Sequence, residues 1–238
     1  MSSPAPSSAR WFSPQGYWAQ VAGTTVQAQL RQQFRRWGVP NAVRVDNGNP
    51  WGNWSDLPTA LALWLVGLGL DVHWNDPRCP QQNGKVERSQ GTGKRWAEPG
   101  RCHTVAELQA HLDEVDRIQR ECYPAVGGLS RWAAFPQLKH SGRRYTQRGE
   151  QATWSLERVR EHVAGYVVPR VVHGGRVTLY EQRYYVGRAY NHQTLYVQFD
   201  PDQGLWVVAD HEGRQLRQHE AREITRERIV KLDLHDPQ

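Results

Sequence analysis

The chain has 238 residues, enough for one large domain or two of moderate size, and its net charge of +6 and pI near 9.4 favour an anionic partner. Nucleic acid is a better candidate for this partner than an acidic protein or a membrane surface, because binding of clustered Lys and Arg to phosphates is favoured by the release of counterions. Three cysteines without a C-x-x-C pair argue against a disulfide framework, and the longest apolar run, residues 57–70, is too short to span a membrane.

The first half of the chain predicts alternating helices and strands, which is typical of an α/β fold. Residues 1–23 begin with MSSPAPSSAR and are predicted to be disordered or irregular, because they offer little apolar surface. Thr24 or Thr25 is expected to cap the first helix. The predicted elements are a helix up to residue 37, a strand at 42–45, a helix starting at Ser55 or Asp56, a strand at 70–74, and helices at 82–96 and 105–121.

The second half predicts a linker followed by a small all-β domain. Residues 136–165 are predicted to be a basic linker and helix. Its stretch 139–148 contains no Asp or Glu and four cations: Lys139, Arg143, Arg144 and Arg148. A linker that contacts DNA phosphates and a merely soluble linker both fit this composition. Residues 166–222 alternate in short segments between turn residues, which predicts five or six strands in a closed or nearly closed barrel. The tail, 223–238, is expected to form one or two helical turns on that barrel.

The basic excess is concentrated in residues 78–101, which contain six Lys or Arg and two Glu. On the predicted helix of this segment, Asn83, Gly91 and Lys94 share the face of Glu87 at helical spacing. Lys85 and Arg88 flank that face. One surface therefore offers a carboxylate among phosphate-binding cations, although an ordinary exposed helix in which Glu87 pairs with a neighbouring Lys or Arg fits the same pattern.

Asp46 and Glu87 are candidate metal ligands for phosphodiester chemistry. The strand at 42–45 ends at Asp46-Asn47-Gly48, which leaves the Asp at the strand tip. Two divalent ions held by carboxylates can activate an attacking oxygen and stabilise a leaving one. The two acids are far apart in sequence, so only the fold could bring them together.

Four segments carry a resemblance to a known family. The motifs are GVPNAVRVDNG, PRCPQQNGKVERSQGTGKRW, GGLSRWAAFPQLKHSGRRY and RVVHGGRVTLYEQRYYVGRAYNHQTLYVQFD. From about Val26 onward the chain resembles the core and C-terminal barrel of bacterial insertion-sequence transposases related to retroviral integrases, the DDE superfamily. The paired DNG and NGKVER elements, in this order, are more specific than either alone.

The resemblance implies a fold and a set of roles. The fold would be a partial RNase H-like core at 24–135 without its opening strands, followed by a small SH3-like barrel. The activity would use an Asp-Asp-Glu triad with Mg²⁺ or Mn²⁺ to cut transposon ends and join them to target DNA. Asp46 matches the second acid and Glu87 the third, and both would bind metal. The candidate DNA contacts are Asn83, Lys85, Arg88, Lys94, Arg95, Lys139, Arg143 and Arg144.

The departure from the family pattern concerns the first acid. That acid precedes the helix at residue 24 in the family, whereas residues 1–45 contain no Asp or Glu. The sequence therefore resembles a transposase truncated at its N-terminus, by a frameshift or a misplaced start. We expect no strand transfer by this polypeptide alone, because two carboxylates leave the position that bridges both ions empty.

Three functional hypotheses follow. The chain is a DDE transposase that acts only when a missing segment is supplied, a non-catalytic DNA-binding remnant, or an inactive subunit that joins an intact transposase and inhibits it. The expected partners are transposon and target DNA and a second copy or an intact relative, with no membrane. Residues 1–10 lack the apolar core of a signal peptide, so the expected location is the bacterial cytoplasm, associated with the nucleoid.

Overall fold

The computed structural model describes residues 22–52, 55–76, 78–79 and 84–234. Within these ranges the chain is a mixed α/β protein, as the sequence predicts. Almost all of the predicted irregular segment, 1–23, lies outside the described residues, as do the last four residues of the tail. No helix within the described ranges combines the length and apolar character that crossing a membrane requires.

The helices and strands follow the predicted order. The helices are α1 (Gly23–Trp37), α2 (Ala60–Gly67), α3 (Gly84–Ala97), α4 (Val105–Glu121), α5 (Arg131–Ala134), α6 (Gln147–Thr153), α7 (Leu156–Ala164) and α8 (Arg226–Lys231). The strands are β1 (Ala42–Val45), β2 (Asp71–Trp74), β3 (Val167–Val171), β4 (Arg176–Leu179), β5 (Gln182–Tyr185), β6 (Thr194–Asp200), β7 (Leu205–Ala209) and β8 (Gln215–Glu220). The predictions for β1 and α4 are confirmed to the residue.

Two predicted helix starts are wrong. Helix α1 begins at Gly23, so Thr24 and Thr25 lie in its first turn rather than at its cap. Helix α2 begins at Ala60 rather than next to Ser55 or Asp56, and Thr59 is its N-cap, accepting a hydrogen bond from the backbone N–H of Ala62 (3.4 Å). The physical reason is Pro58, because the residue before a proline is pushed out of the helical region.

The described residues divide into two compact units. The first unit contains Gln29–Val43 and Asn75–Tyr145, and it includes α3, α4 and α5. The second unit contains Ala19–Ala28, Arg44–Trp74 and Thr146–Gln238, and it includes α2, α6, α7, α8 and all strands from β2 onward. The domain boundaries drawn from the sequence at residues 23, 135, 165 and 222 stay predictions.

The last six strands form a four-stranded antiparallel sheet in the order β3-β6-β7-β8 and a separate β4–β5 hairpin. Side chains alternate between buried and exposed along β6, where Leu195, Val197 and Phe199 point into the core. This period of two is the pattern that predicted the strands. The hydrogen-bond ladders of the described strands do not close into a barrel, and β3 and β8 are the edges of the larger sheet.

The helical part of the second unit packs around α2, which is apolar on all sides and buried along its length. The indole N–H of Trp64 donates to Glu150 Oε1 (2.9 Å), and that of Trp154 donates to the carbonyl oxygen of Trp64 (3.0 Å). Trp154 lies directly against Gly67, where a Cβ atom would fall 2.1 Å from the indole. The absence of a side chain at Gly67 therefore permits this close contact.

The tail begins with a buried carboxylate. Glu223 is fully buried, and it accepts hydrogen bonds from the hydroxyl of Tyr184 (2.6 Å) and the indole N–H of Trp206 (2.9 Å). Burial raises the pKa of Glu223, while the two hydrogen bonds and the charge of Arg228 partly oppose that shift. Glu223 therefore anchors the start of the tail on β5 and β7, whereas the helical turns of the tail, α8, pack against α2.

Candidate nucleic-acid interface

Helix α3 packs on α4 with one face and exposes the other. Ser89 donates a hydrogen bond to Gln119 Oε1 on α4 (3.3 Å), and Ala97, eight residues later, is fully buried. The opposite side carries four exposed charged residues: Glu87, Arg88, Lys94 and Arg95. The side chains predicted to form a charged surface therefore do share one helix, and the mixed face around Glu87 is open to solvent.

The cations of this face lack carboxylate partners within the described ranges. No ion pair of Arg88, Lys94 or Arg95 is found there, whereas Arg101, just beyond the helix, pairs with Glu98 at 2.7 Å. The basic pair Lys94 and Arg95 lies in the last turn, where the negative end of the helix dipole favours positive charge. Of the other predicted DNA contacts on this segment, Lys85 belongs to the first turn of α3, and Asn83 lies outside the described residues.

Asp46 is exposed immediately after β1. A compact turn follows it, in which Gly48 and Gly52 exchange backbone hydrogen bonds of 2.6 and 2.9 Å. The prediction that Asp46 stands at a strand tip is confirmed. It belongs to the second unit and Glu87 to the first. Among the residues that the structure describes, no group of three or more His, Cys, Asp or Glu side chains is arranged to hold a metal ion.

The basic segment after α5 is partly a structural element. Arg143 donates to the carbonyl oxygen of Pro40 (3.0 Å) and to Asn41 Oδ1 (3.4 Å), and its own carbonyl accepts from the N–H of Val39 (2.8 Å). Its guanidinium thus holds the loop after α1, and the predicted phosphate contact of Arg143 stays a prediction. Arg144 is exposed, so it stays a candidate for that contact.

In the first unit, three cationic side chains lie over the rings of two tryptophans. We call this group the Trp37–Trp132 cluster; its members are Arg36, Trp37, Arg120, Trp132 and Lys139. The rings of Trp37 and Trp132 meet edge to face with centroids 5.9 Å apart. Arg120 lies over both rings, with its Cζ 5.0 Å from Trp37 and 5.7 Å from Trp132. Arg36 lies 4.6 Å over Trp37, and Lys139 Nζ lies 5.5 Å from Trp132.

The cluster concentrates positive charge. Its three cations form no ion pair within the described ranges, and the buried Nε of Arg120 has no hydrogen-bond partner there. Burial lowers the pKa of Arg120, and the charge of Arg36 acts in the same direction, while acids on α4 such as Asp116 oppose it. Cation–π attraction to the faces of the two indole rings stabilises these three positive charges in the absence of carboxylate partners among the described residues.

Sequence reasoning found only Lys139 of this cluster. The pairs Arg36-Trp37 and Arg131-Trp132 are almost a hundred residues apart in the sequence, so no local pattern connects them. The usable signal was the repeated Arg-Trp dipeptide in a basic chain, since aromatic rings interleaved with cations are typical of nucleic-acid surfaces. No protein-family model matches the chain.

Proposed function

We propose that this chain binds DNA as a protein of the transposase and integrase lineage. The single observation that carries the proposal is the exposed face of α3, where Arg88, Lys94 and Arg95 have no carboxylate partner in the described part of the chain. Unpaired cations on a rigid helix suit a phosphate backbone, because binding releases its condensed counterions. The net charge of +6 favours the same partner.

The Trp37–Trp132 cluster supports the proposal from a second surface of the first unit. Three cations lie within 6 Å of two indole rings, and cation–π contacts hold guanidinium planes in a fixed orientation. Such groups can contact phosphate and sugar without reading the base sequence. The proposed binding is therefore largely independent of sequence.

The finer fold belongs to the same proposal. We interpret β1, β2 and the helices α1 to α4 as part of an RNase H-like core, and the sheet β3-β6-β7-β8 with its β4–β5 hairpin as an open relative of an SH3-like barrel. By the same resemblance, Asp46 and Glu87 are each candidate ligands of Mg²⁺ or Mn²⁺, since carboxylates suit these hard ions. In a complete set of three acids, such ions would activate the attacking oxygen and stabilise the leaving one. The corresponding partners are DNA and a second copy or an intact relative, within the bacterial nucleoid.

Binding to duplex DNA should be strongly salt-dependent, and the double variant Lys94→Ala/Arg95→Ala should reduce that dependence. Each lost phosphate contact lowers the slope of log K against log [salt] by about 0.9, so the double variant should lose roughly 1.8. Fluorescence anisotropy with a labelled duplex at several KCl concentrations measures both slopes.

The matched control removes two cations that already have acidic partners. Arg101 pairs with Glu98 and Arg117 with Glu114, both at 2.7 Å on the same unit, so Arg101→Ala/Arg117→Ala changes net charge by the same amount. The control should leave the slope close to that of the unchanged chain. Equal losses in both double variants would mean that net charge alone drives binding, which would contradict a site on α3.

In Mg²⁺ we expect DNA binding without strand transfer by this chain. Residues 1–45 contain no Asp or Glu, so the chain has no match to the first acid of the triad that the resemblance implies. The variants Asp46→Asn and Glu87→Gln should therefore keep DNA affinity within about threefold, since neither acid contacts phosphate directly. A gel assay with a labelled transposon-end duplex gives the readout. Strand transfer that disappears in Glu87→Gln would reveal a complete catalytic site and overturn the binding-only proposal.

A further inference from the structure

Two histidines face each other at one end of the β3–β6 ladder. The antiparallel register ends with Val171 opposite Thr194, and just beyond it the N–H of Val172 donates to the carbonyl of Gln193 (2.9 Å), so His173 and His192 lie immediately outside the two strands. Their rings are nearly perpendicular, at 84°, with centroids 6.2 Å apart. Both side chains are exposed.

The main chain around both residues is fixed. The N–H of His192 donates to the carbonyl of Val172 (2.9 Å), and His173 exchanges two backbone hydrogen bonds with Arg176 (2.9 and 3.1 Å). His192 has φ +65°, a left-handed conformation that is uncommon for residues other than glycine. The backbone hydrogen bond of His192 therefore holds this uncommon conformation in place, and the conformation places the His192 ring beside His173.

The imidazoles themselves are not used by the fold. No ring nitrogen of His173 or His192 has a hydrogen-bond or ion-pair partner among the residues that the structure describes. Two adjacent imidazoles with unused nitrogens are the usual ligands of borderline transition metals, which neutral His binds through either nitrogen.

The separation of the rings suits one shared ion. Zinc binds imidazole nitrogen at about 2.0–2.1 Å, so two rings on one ion have centroids roughly 5–6 Å apart. The observed 6.2 Å reaches this range through a small rotation of either exposed side chain. We propose that His173 and His192 form a binding site for a divalent transition metal such as Zn²⁺, with the other coordination positions open to water. This site is separate from the carboxylates Asp46 and Glu87, which suit Mg²⁺.

The test is zinc uptake by the full chain after removal of bound metal. Isothermal titration with ZnCl₂ should show saturable binding, with one ion per chain or one per two chains if a second copy completes the coordination. His173→Gln and His192→Asn should each abolish it. Asn tolerates the left-handed conformation at position 192, so the backbone is kept while the ligand is lost.

Two control variants separate this site from other zinc ligands. His211→Gln removes an exposed imidazole beside Glu212, and Cys102→Ser removes the thiol that lies 3.6 Å from His111 Nδ1. Both should bind zinc as the unchanged chain does, and the imidazole NMR resonances of His173 and His192 should shift together on titration. The proposal is overturned if no saturable binding occurs up to millimolar Zn²⁺, if binding survives in both His variants, or if Cys102→Ser abolishes it.

Discussion

Replacing Gly67 by alanine is expected to lower the free energy of unfolding by about 2–3 kcal/mol, the upper part of the usual range for overpacking a core. The added Cβ would fall 2.1 Å from Trp154 Cε2 and 2.2 Å from its Nε1. Trp154 cannot simply move away, because it is buried and its indole N–H donates to the carbonyl oxygen of Trp64. Relief of the clash therefore requires a shift of α2 or loss of that hydrogen bond.

Gly91→Ala provides the opposite control. Gly91 also lies in a helix, but a Cβ there would meet no atom within 4 Å, so alanine should stabilise the chain by about 0.5–1 kcal/mol through its better helix propensity. Thermal denaturation followed by circular dichroism measures both variants. A Gly67→Ala protein as stable as the unchanged chain would contradict the close packing of Trp154 on α2.

The second large effect concerns Glu223. Glu223→Ala removes the acceptor of two donors, the half-buried Tyr184 hydroxyl and the buried Trp206 indole N–H, and it leaves a cavity. Each unsatisfied buried donor costs about 1–3 kcal/mol, so the expected loss is roughly 2–6 kcal/mol. Glu223→Gln is the matched variant, because its amide can accept from Trp206 and donate to a rotated Tyr184 hydroxyl without introducing a charge.

The pH dependence of Glu223→Gln gives the sharper measurement. The pKa of Glu223 is raised in the folded state, so the folded chain binds a proton at Glu223 more tightly than the unfolded chain does. Its stabilising contribution is therefore complete below the unfolded pKa of about 4.3 and is lost as pH rises through the higher folded value. Relative to the unchanged chain, Glu223→Gln should become more stable as pH rises through that window.

Urea denaturation of both proteins from acid to neutral pH follows this difference. The Ala variant should be the least stable of the three at every pH, since it lacks both hydrogen bonds. If the stability difference between Glu223→Gln and the unchanged chain stays constant with pH, the carboxyl of Glu223 has the same pKa in the folded and unfolded states. That result would contradict a buried, desolvated position for Glu223.

The sequence predicted the order and type of the elements well, and their boundaries unevenly. The period of two in TLYVQFD located β6, and the apolar spacing of α4 gave both its ends. The start of α2 was misplaced because Asp56 looks like a helix cap, whereas its carboxylate instead accepts from the N–H of Leu57 and pairs with Arg170. That partner is more than a hundred residues away, so local sequence reasoning could not find it.

In the candidate site as well, features within one sequence motif could be predicted, whereas contacts between residues far apart in sequence could not. The charged face of α3 follows from helical spacing within one motif, and the structure exposes it as expected. Arg143 looked like a phosphate contact because its sequence neighbours are basic, yet its guanidinium is bound to the loop at Pro40. The Trp37–Trp132 cluster joins α1, α4 and α5, so only tertiary packing reveals it.

The edges of the four-stranded sheet limit how copies of this chain can associate. On β3, Pro169 lacks a backbone N–H and interrupts any further ladder, and Val167 and Val171 are the apolar residues exposed beside it. On β8, the sequence QLRQHE presents mostly polar and charged side chains. Edges protected in this way resist strand-to-strand aggregation. Any association between copies of this chain at this sheet would therefore have to use side-chain surfaces, so that the copies could separate without unfolding a shared sheet.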